Sequence, residues 1–343
     1  MTTQTKSGNV PPGQEKKLQG TITGIEPFDK AADVAALQQM LRNASCETAL
    51  ADFLVRRSNQ QRQEIREGYK EATGRELMQA ICDVTSGKFQ DVVVGLLDDS
   101  LQFAARCLYQ AMKGLGTDEK ALVDVLCTRN RNVETLAIKE TFKDIYNVDL
   151  ETMLKQDTSD PFLKLLLTVA AANRDEEPSA DIETQARKDA DVLFKAGEGR
   201  PSGSLDDDKF IEILATRPLI QLHLATFKFY DQKSKKGGIQ RALESERCSD
   251  AIDGYLALVK TAKGELVEFY ADRLHHAMKG MGTDDSCLIR TLISRSEIDL
   301  ANIKDEFQAK YGQSLSSFVK DDTSGDYCNI LVRILSGSPP AKP

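Results

Sequence analysis

The sequence predicts an all-α protein of four homologous repeats of about five helices each, and three observations carry that expectation. First, LYQAMKGLGTDEKALVDVLCTRN at 108–130 returns as LHHAMKGMGTDDSCLIRTLISRS at 274–296, twice a plausible unit apart. Second, an arginine closes a comparable segment four times, as Arg57, Arg129, Arg217 and Arg295, each followed by a related mark: TSGKF, DTSDPF, ERCSDAI and DTSGDY. Third, apolar residues recur with helical spacing (Leu101, Ala104, Ala105, Leu108, Met112; Ile303, Phe307, Tyr311), and no convincing stretch alternates with period two.

Taken in chain order, residues 1–26 are rich in Thr, Gly, Gln, Lys and Pro and read as a flexible N-terminal arm. Repeat 1 spans 27–98 and repeat 2 spans 99–173. The charged, proline-broken RDEEPSA opens a linker, 174–184, that is expected to join two halves of the molecule. Repeat 3 spans 185–262, repeat 4 spans 263–337, and 338–343 form a flexible tail that proline keeps from being helical. Within repeats, Gly74 and Gly312 mark helix ends. Thr117 and Thr283 sit where N-caps belong, with acids behind them that suit the positive end of a helix dipole. Asp206-Asp207-Asp208 reads as another helix start, since the EF-hand pattern is not completed there.

Composition narrows the function. Apolar residues are 41% and charged residues 29% of 343, proportions of an ordinary soluble globular chain. With 45 basic and 53 acidic residues the net charge is −8, which opposes unaided attraction to nucleic acid or to an anionic membrane, so a polyanionic partner needs a cation between. Seven scattered cysteines without a C-x-x-C pair read as small buried residues in a reducing compartment. The first residues lack a signal-peptide core, and no window reaches the roughly 18 apolar residues of a spanning helix. The expected location is therefore cytoplasmic, and Asn43-Ala44-Ser45 is not expected to be glycosylated.

The chemistry gathers at Met-Lys-Gly-x-Gly-Thr, found at 112–117 and 278–283. Two glycines one residue apart open backbone conformations closed to other residues, so such a loop aims several carbonyls at one point. Hard cations such as Ca²⁺ take six to eight oxygens, combining carbonyls with a carboxylate and water. That carboxylate is expected from Asp157, forty-one residues after Gly116, and from Asp322, forty after Gly282. A single G-x-G-T reads more simply as a helix-closing turn. Its recurrence with an acid at near-equal distance favours a cation pocket, and the spacing excludes a phosphate-binding P-loop.

These motifs, in register over about residues 27–337, resemble the annexins. The resemblance implies a right-handed superhelical disc of four five-helix repeats, whose convex face binds calcium and, through it, acidic phospholipid. It implies no enzymatic activity. Carried over, the principal sites are Met112, Gly114, Gly116 and Asp157 in repeat 2, and Met278, Gly280, Gly282 and Asp322 in repeat 4. Secondary sites fall at Thr117 with Glu119 and Thr283 with Asp285, acids that fit a helix start equally well. Repeat 3 departs: its AGEGRPSGSLDDDKF loop offers Gly197 and Gly203, with Glu246 as the acid, and leaves the middle carbonyl unassigned. Repeat 1 places Arg42 and Ala44 at the glycine positions and Val84 at the acid's, so no calcium is expected there; Asp83 is one residue early.

The expected function is calcium-dependent binding to anionic phospholipid membranes, peripheral and reversible, with Ca²⁺ as the only cofactor and no nucleic-acid partner. Lys113 and Lys279 flank the loops as solvated helix-end residues or phosphate contacts. An α-helical protein-interaction scaffold without calcium dependence explains the repeats but not the Gly-to-acid spacing. A hydrolase finds no nucleophile pattern near His223, His275 or His276. The N-terminal arm is the place for a protein partner, and the family resemblance also implies export without a signal peptide. Biological role, lipid preference and oligomeric state are not legible in the residues.

Overall fold

The computed structural model describes residues 17–43, 45–200, 204–246 and 249–337. Among the described residues the chain forms twenty α-helices and no strand. Repeat 1 contains α1 (Lys30–Met40), α2 (Glu47–Val55), α3 (Asn59–Thr73), α4 (Leu77–Cys82) and α5 (Gly87–Leu97). Repeat 2 contains α6 (Ser100–Ala111), α7 (Glu119–Leu126), α8 (Asn132–Tyr146), α9 (Leu150–Asp157) and α10 (Phe162–Ala170). Repeat 3 contains α11 (Ile182–Ala196), α12 (Asp207–Thr216), α13 (Leu219–His223), α14 (Ile239–Glu244) and α15 (Asp250–Lys263), with α13 running on as a π-helix over Leu224–Tyr230. Repeat 4 contains α16 (Leu266–Met278), α17 (Asp285–Arg295), α18 (Leu300–Tyr311), α19 (Leu315–Asp322) and α20 (Gly325–Ser336).

Local chemistry sets the helix ends. Ser58 and Gln61 form a capping box at the start of α3, and Gly74 ends it with φ 69°. Gly312 ends α18 with φ 74°, as its position in the sequence implies. Asp206 precedes α12, as the acid run predicts. The caps of α7 and α17 differ from expectation: Asp118 and Asp284 cap them, their Oδ1 accepting from Ala121 N at 2.9 Å and Cys287 N at 3.0 Å. Thr117 and Thr283 stand one residue too early for that role, and their hydroxyls are engaged elsewhere.

Contacts gather the chain into two compact units. Among the described residues, one is Ala105–Leu266, holding repeats 2 and 3; the other combines residues 17–104 with 267–337, holding repeats 1 and 4. Residues 174–184 therefore do not join two halves, as the sequence implied. They lie inside the first unit, where Asp175 N bonds Thr216 O at 2.9 Å and Arg174 holds the carbonyls of Arg217 and Leu214 at 2.6 and 2.9 Å. The core of this unit is α7, α10, α12 and α15, with Leu122, Leu165, Leu166 and Leu258 at 0–1% exposure. Burying such side chains stabilises by about 1.5–3 kcal/mol each. Helix α15 approaches α10 so closely that a Cβ on Gly254 would lie 2.4 Å from Leu165 Cδ2, so any larger residue there would have to displace that leucine. In the second unit α2, α5, α17 and α20 pack together in the same way.

The expected mobile arm needs a second correction. Residues 17–25 lie along the second unit: Thr21 N and Ile22 N donate to Ser296 O at 2.7 and 3.0 Å, and Thr21 Oγ1 donates to Ile334 O at 2.6 Å. Gln61 then exchanges two hydrogen bonds with the backbone of Ile25. The polar composition there serves backbone pairing rather than solvation. Residues 1–16 and the tail 338–343 lie outside the described residues. Cys46, Cys127 and Cys287 are buried as expected, whereas Cys82, Cys107 and Cys328 are partly exposed; none of these six forms a disulfide.

Three of the repeated arginines hold an aspartate, so their acceptors are broader than the helix-end carbonyls expected of them. Arg57 donates to Phe53 O at 2.8 Å and grips Asp33 with Nε at 2.7 Å and Nη2 at 2.5 Å. Arg217 pairs with Asp189 at 3.3 Å, and Arg295 with Asp299 at 2.6–2.8 Å. Arg129 donates its Nε to Val125 O at 2.9 Å.

Candidate metal centre

The structure brings each Gly-x-Gly-Thr loop to its distant acid. In repeat 2 the loop follows α6 and precedes α7, while Asp157 is the last residue of α9. Thr117 Oγ1 donates to Asp157 Oδ2 at 2.9 Å and lies 3.0 Å from its carbonyl oxygen. In repeat 4 Thr283 Oγ1 meets Asp322 Oδ2 at 2.6 Å and its carbonyl oxygen at 3.3 Å. The two constellations superpose in chemistry as they do in sequence.

The glycines are required by backbone geometry. Gly114 and Gly116 have φ of 110° and 85°, and Gly280 and Gly282 have φ of 120° and 89°, values that L side chains rarely adopt. Space around them is open, since a Cβ at any of the four would meet nothing within 4 Å. Their turn also closes the loop, through Asp118 N to Ala111 O at 2.9 Å and Asp284 N to Ala277 O at 2.7 Å.

The donors present fit a hard cation. Among the described residues the carbonyls of Met112, Gly114, Gly116, Met278, Gly280 and Gly282 accept no hydrogen bond. Oδ1 of Asp157 and of Asp322 likewise has no hydrogen-bond partner there. Each loop thus presents three uncommitted carbonyl oxygens beside an acid tethered through a single oxygen, the donor set calcium prefers. Among the described residues no three His, Cys, Asp or Glu side chains gather to hold a metal ion. These pockets would draw mainly on backbone and on one acid each.

The secondary positions are less open. Tyr327 OH donates to Asp285 Oδ1 at 2.8 Å, and Lys88 stands 3.9 Å from Oδ2. Burial and that carboxylate push the Tyr327 phenol upward, so its proton stays in the hydrogen bond. Glu119 opens α7 in the first turn, where the helix dipole favours an acid.

Repeat 3 is arranged differently. Gly197 has φ −127° and its carbonyl accepts from Arg200 N at 2.8 Å. Glu246 is met by Lys236 Nζ at 3.3 Å, and the same ammonium donates to Ser245 Oγ at 2.6 Å. Glu198 ties the loop down, accepting from Ser234 Oγ at 2.6 Å and from the backbone N of Lys235 and Lys236 at 2.6 and 3.0 Å. Gly203 lies outside the described residues. In repeat 1 the Met40 carbonyl accepts from Asn43 N at 3.0 Å, and Asp83 is held by Arg75 and by Gln79 at 2.9 Å. The Gln79 bond, and after it that of Arg75, hold Asp83 below the usual carboxylate range.

Two residues of interest escape a reading based on oxygen donors. Leu115 and Met281, between the paired glycines, are fully exposed, at 106% and 105%. The signal lay in the repeated motif itself, where the intervening position is apolar twice on a loop that glycine keeps at the surface. His275, by contrast, is a packing residue. It stacks on Tyr311 at 3.8 Å and 3°, as Tyr109 stacks on Tyr146 with the same values.

Four helical repeats with carbonyl-rich loops beside a tethered acid define a class of helical-repeat proteins, and comparison with known proteins names it. A sequence profile of the annexin family matches residues 32–96, 102–169 and 269–334, which fall in repeats 1, 2 and 4. Mouse annexin A13 is 41% identical over 309 residues, covering 90% of this chain and 95% of the relative. Annexin A5 of Macaca fascicularis is 37% identical over 323 residues, 93% of this chain and 98% of the relative. Among solved structures, annexin III superposes with TM-score 0.85 at 39% identity, over 93% of this chain and 97% of that one. A calcium-bound annexin, (Sm)1, gives TM-score 0.78 at 30% identity, over 93% of each chain. The chain belongs to the annexin family. Calcium-dependent phospholipid binding is a general property of that family, whose members are non-enzymatic, generally cytoplasmic and peripheral at membranes. No described helix of this chain is long and apolar enough to cross a membrane.

Proposed function

We propose that this protein binds anionic phospholipid bilayers through calcium held at the loops of repeats 2 and 4. The observation that carries the reading is the pairing of three uncommitted carbonyls with a threonine-tethered aspartate, made twice by Met112, Gly114, Gly116 and Asp157 and by Met278, Gly280, Gly282 and Asp322. Calcium held there by these carbonyls and the aspartate would supply the positive charge that attracts a lipid phosphate oxygen. The threonine hydroxyls keep each carboxylate at its loop, so the pocket is organised before the cation arrives. Leu115 and Met281 project beside the carbonyls as apolar contacts for the lipid boundary, and Lys113 and Lys279 add positive charge to the same loops. With net charge −8 the chain has no bulk attraction to an acidic surface, so attachment depends on the loops. Two loops acting together add avidity.

Glu246 with Gly197 and Gly203 is the weaker third candidate, because Lys236 already neutralises its acid. The secondary sites, Thr117 with Glu119 and Thr283 with Asp285, are assigned to helix starts and the Tyr327 contact before calcium. Sedimentation with phosphatidylserine vesicles tests the function. The protein pellets with calcium and returns to the supernatant with chelator; equal pelleting in both would overturn the reading. A protein-interaction scaffold would stay in the supernatant throughout.

A further inference from the structure

Of the four recurrent arginines, three hold an aspartate and one does not. Arg57, Arg217 and Arg295 grip Asp33, Asp189 and Asp299. Arg129 bonds only the Val125 carbonyl, and among the described residues no carboxylate meets its guanidinium. It faces a small recess of about 20 Å³, lined chiefly by Arg129, Arg131 and Arg174 with Asn130, Asn132 and Thr135. Arg131, exposed at the N-cap of α8, is also without a carboxylate among the described residues. Arg174 spends both terminal nitrogens on the carbonyls of Arg217 and Leu214, and burial, opposed only in part by the Cys127 sulfur, draws its guanidinium down to about 10. Glu176 stands near, its Oε1 accepting from Asn132 N at 2.7 Å.

Among the described residues no carboxylate pairs with any of these three guanidiniums, which leaves positive charge at a polar recess. The matching place in the second unit is balanced differently: Arg62 donates to the carbonyls of Leu54 and Arg57 at 3.1 and 2.5 Å, as Arg174 does to Leu214 and Arg217, and also holds Glu297 at 2.9 Å. Glu297 there caps Asn59 N as well, at 2.6 Å, so a single acid serves both tasks. In the first unit Glu176 performs only the capping. We propose that the recess formed by Arg129, Arg131 and Arg174 is an oxyanion site that takes a phosphate-type group. The planar forks of Arg129 and Arg131 suit bidentate contact with its oxygens, while the recess admits one oxygen inward and leaves the rest at the mouth. The site lies beyond the end of α7 opposite to the Gly-x-Gly loop, about 12 Å of helix away, so it is separate from the calcium pocket.

Thermal unfolding of the full chain in chelator tests this, comparing sodium phosphate with sodium chloride at equal ionic strength. Phosphate is expected to raise the melting temperature saturably, with chloride giving no such rise. Arg131→Ala and the double variant Arg129→Gln/Arg131→Ala should weaken phosphate binding by about tenfold or more. Calcium-dependent vesicle sedimentation should be unchanged in Arg131→Ala, which is exposed and removes no core contact. A phosphate response equal to that of chloride, or one indifferent to Arg131→Ala, overturns the proposal. Phosphatidylserine vesicles in chelator separate the ligand sources: if they leave the phosphate response intact, the ligand is a free oxyanion, and if they displace it, the same site takes a lipid headgroup.

Discussion

Replacing Asp157 and Asp322 by asparagine removes the single acid from each pocket while keeping its shape and its acceptor for the threonine hydroxyl. Each pocket otherwise relies on neutral carbonyls, so the carboxylate is the only formal negative charge it offers the cation. Losing an interaction of a charged group on this scale costs about 2 kcal/mol, or roughly thirtyfold in the calcium constant of that pocket. If vesicle binding engages both pockets together, the calcium midpoint follows the square root of the product of the two constants. Either single variant should then raise the midpoint about fivefold, and the double variant about thirtyfold. The assay is calcium titration of vesicle sedimentation, with thermal unfolding in chelator as the check on folding. A double variant that folds normally and keeps a midpoint within about twofold of the parent would refute the assignment of these acids.

Three further outcomes follow from the same geometry. Leu115→Ser with Met281→Ser should weaken vesicle binding at saturating calcium by roughly 1–3 kcal/mol in total, leaving calcium binding without lipid unchanged; isothermal titration separates the two, and equal losses in both would count against apolar contact. Lys236→Ala removes the ammonium from Glu246 and should lower the calcium midpoint a few-fold, whereas no change would show that Lys236 does not guard this acid. His275 is held below its ordinary value of 6.5, first by burial and then by the nearby positive groups His276 and Lys279. A depressed folded value means protonation favours the unfolded chain, so this residue's stabilisation is present above 6.5 and is lost as pH falls toward the folded value. His275→Tyr, matching Tyr109, should shrink the fall in melting temperature between neutral and mildly acidic pH; an unaltered pH profile would refute it.

The loop-to-acid geometry of repeats 2 and 4 was legible because everything it needs is local or repeated. Gly114, Gly116, Gly280 and Gly282 announce positive-φ turns by residue type, and Asp157 and Asp322 recur at near-equal distance behind them. Thr117 and Thr283 were legible in position and misread in role. A hydroxyl before a helix fits a cap on local grounds, and only the approach of α9 and α19 reveals the carboxylate that claims it. The tether of residues 17–25 was invisible for a related reason. A polar segment reads as mobile until its partners, Ser296 and Ile334, are brought beside it from the far end of the chain.

What the amino-acid order determines by itself is therefore the helical period, the fourfold repetition and the two carbonyl-rich turns, since each depends on residues within a few turns of one another or on exact recurrence. Tertiary structure alone decided which repeats pair into compact units, which arginines find an aspartate, and that Lys236 lies on Glu246 while Asp157 and Asp322 stay open. The physical reason is that charge compensation is settled between helices packed side by side. Their side chains meet through space at separations that no periodic pattern along the chain encodes.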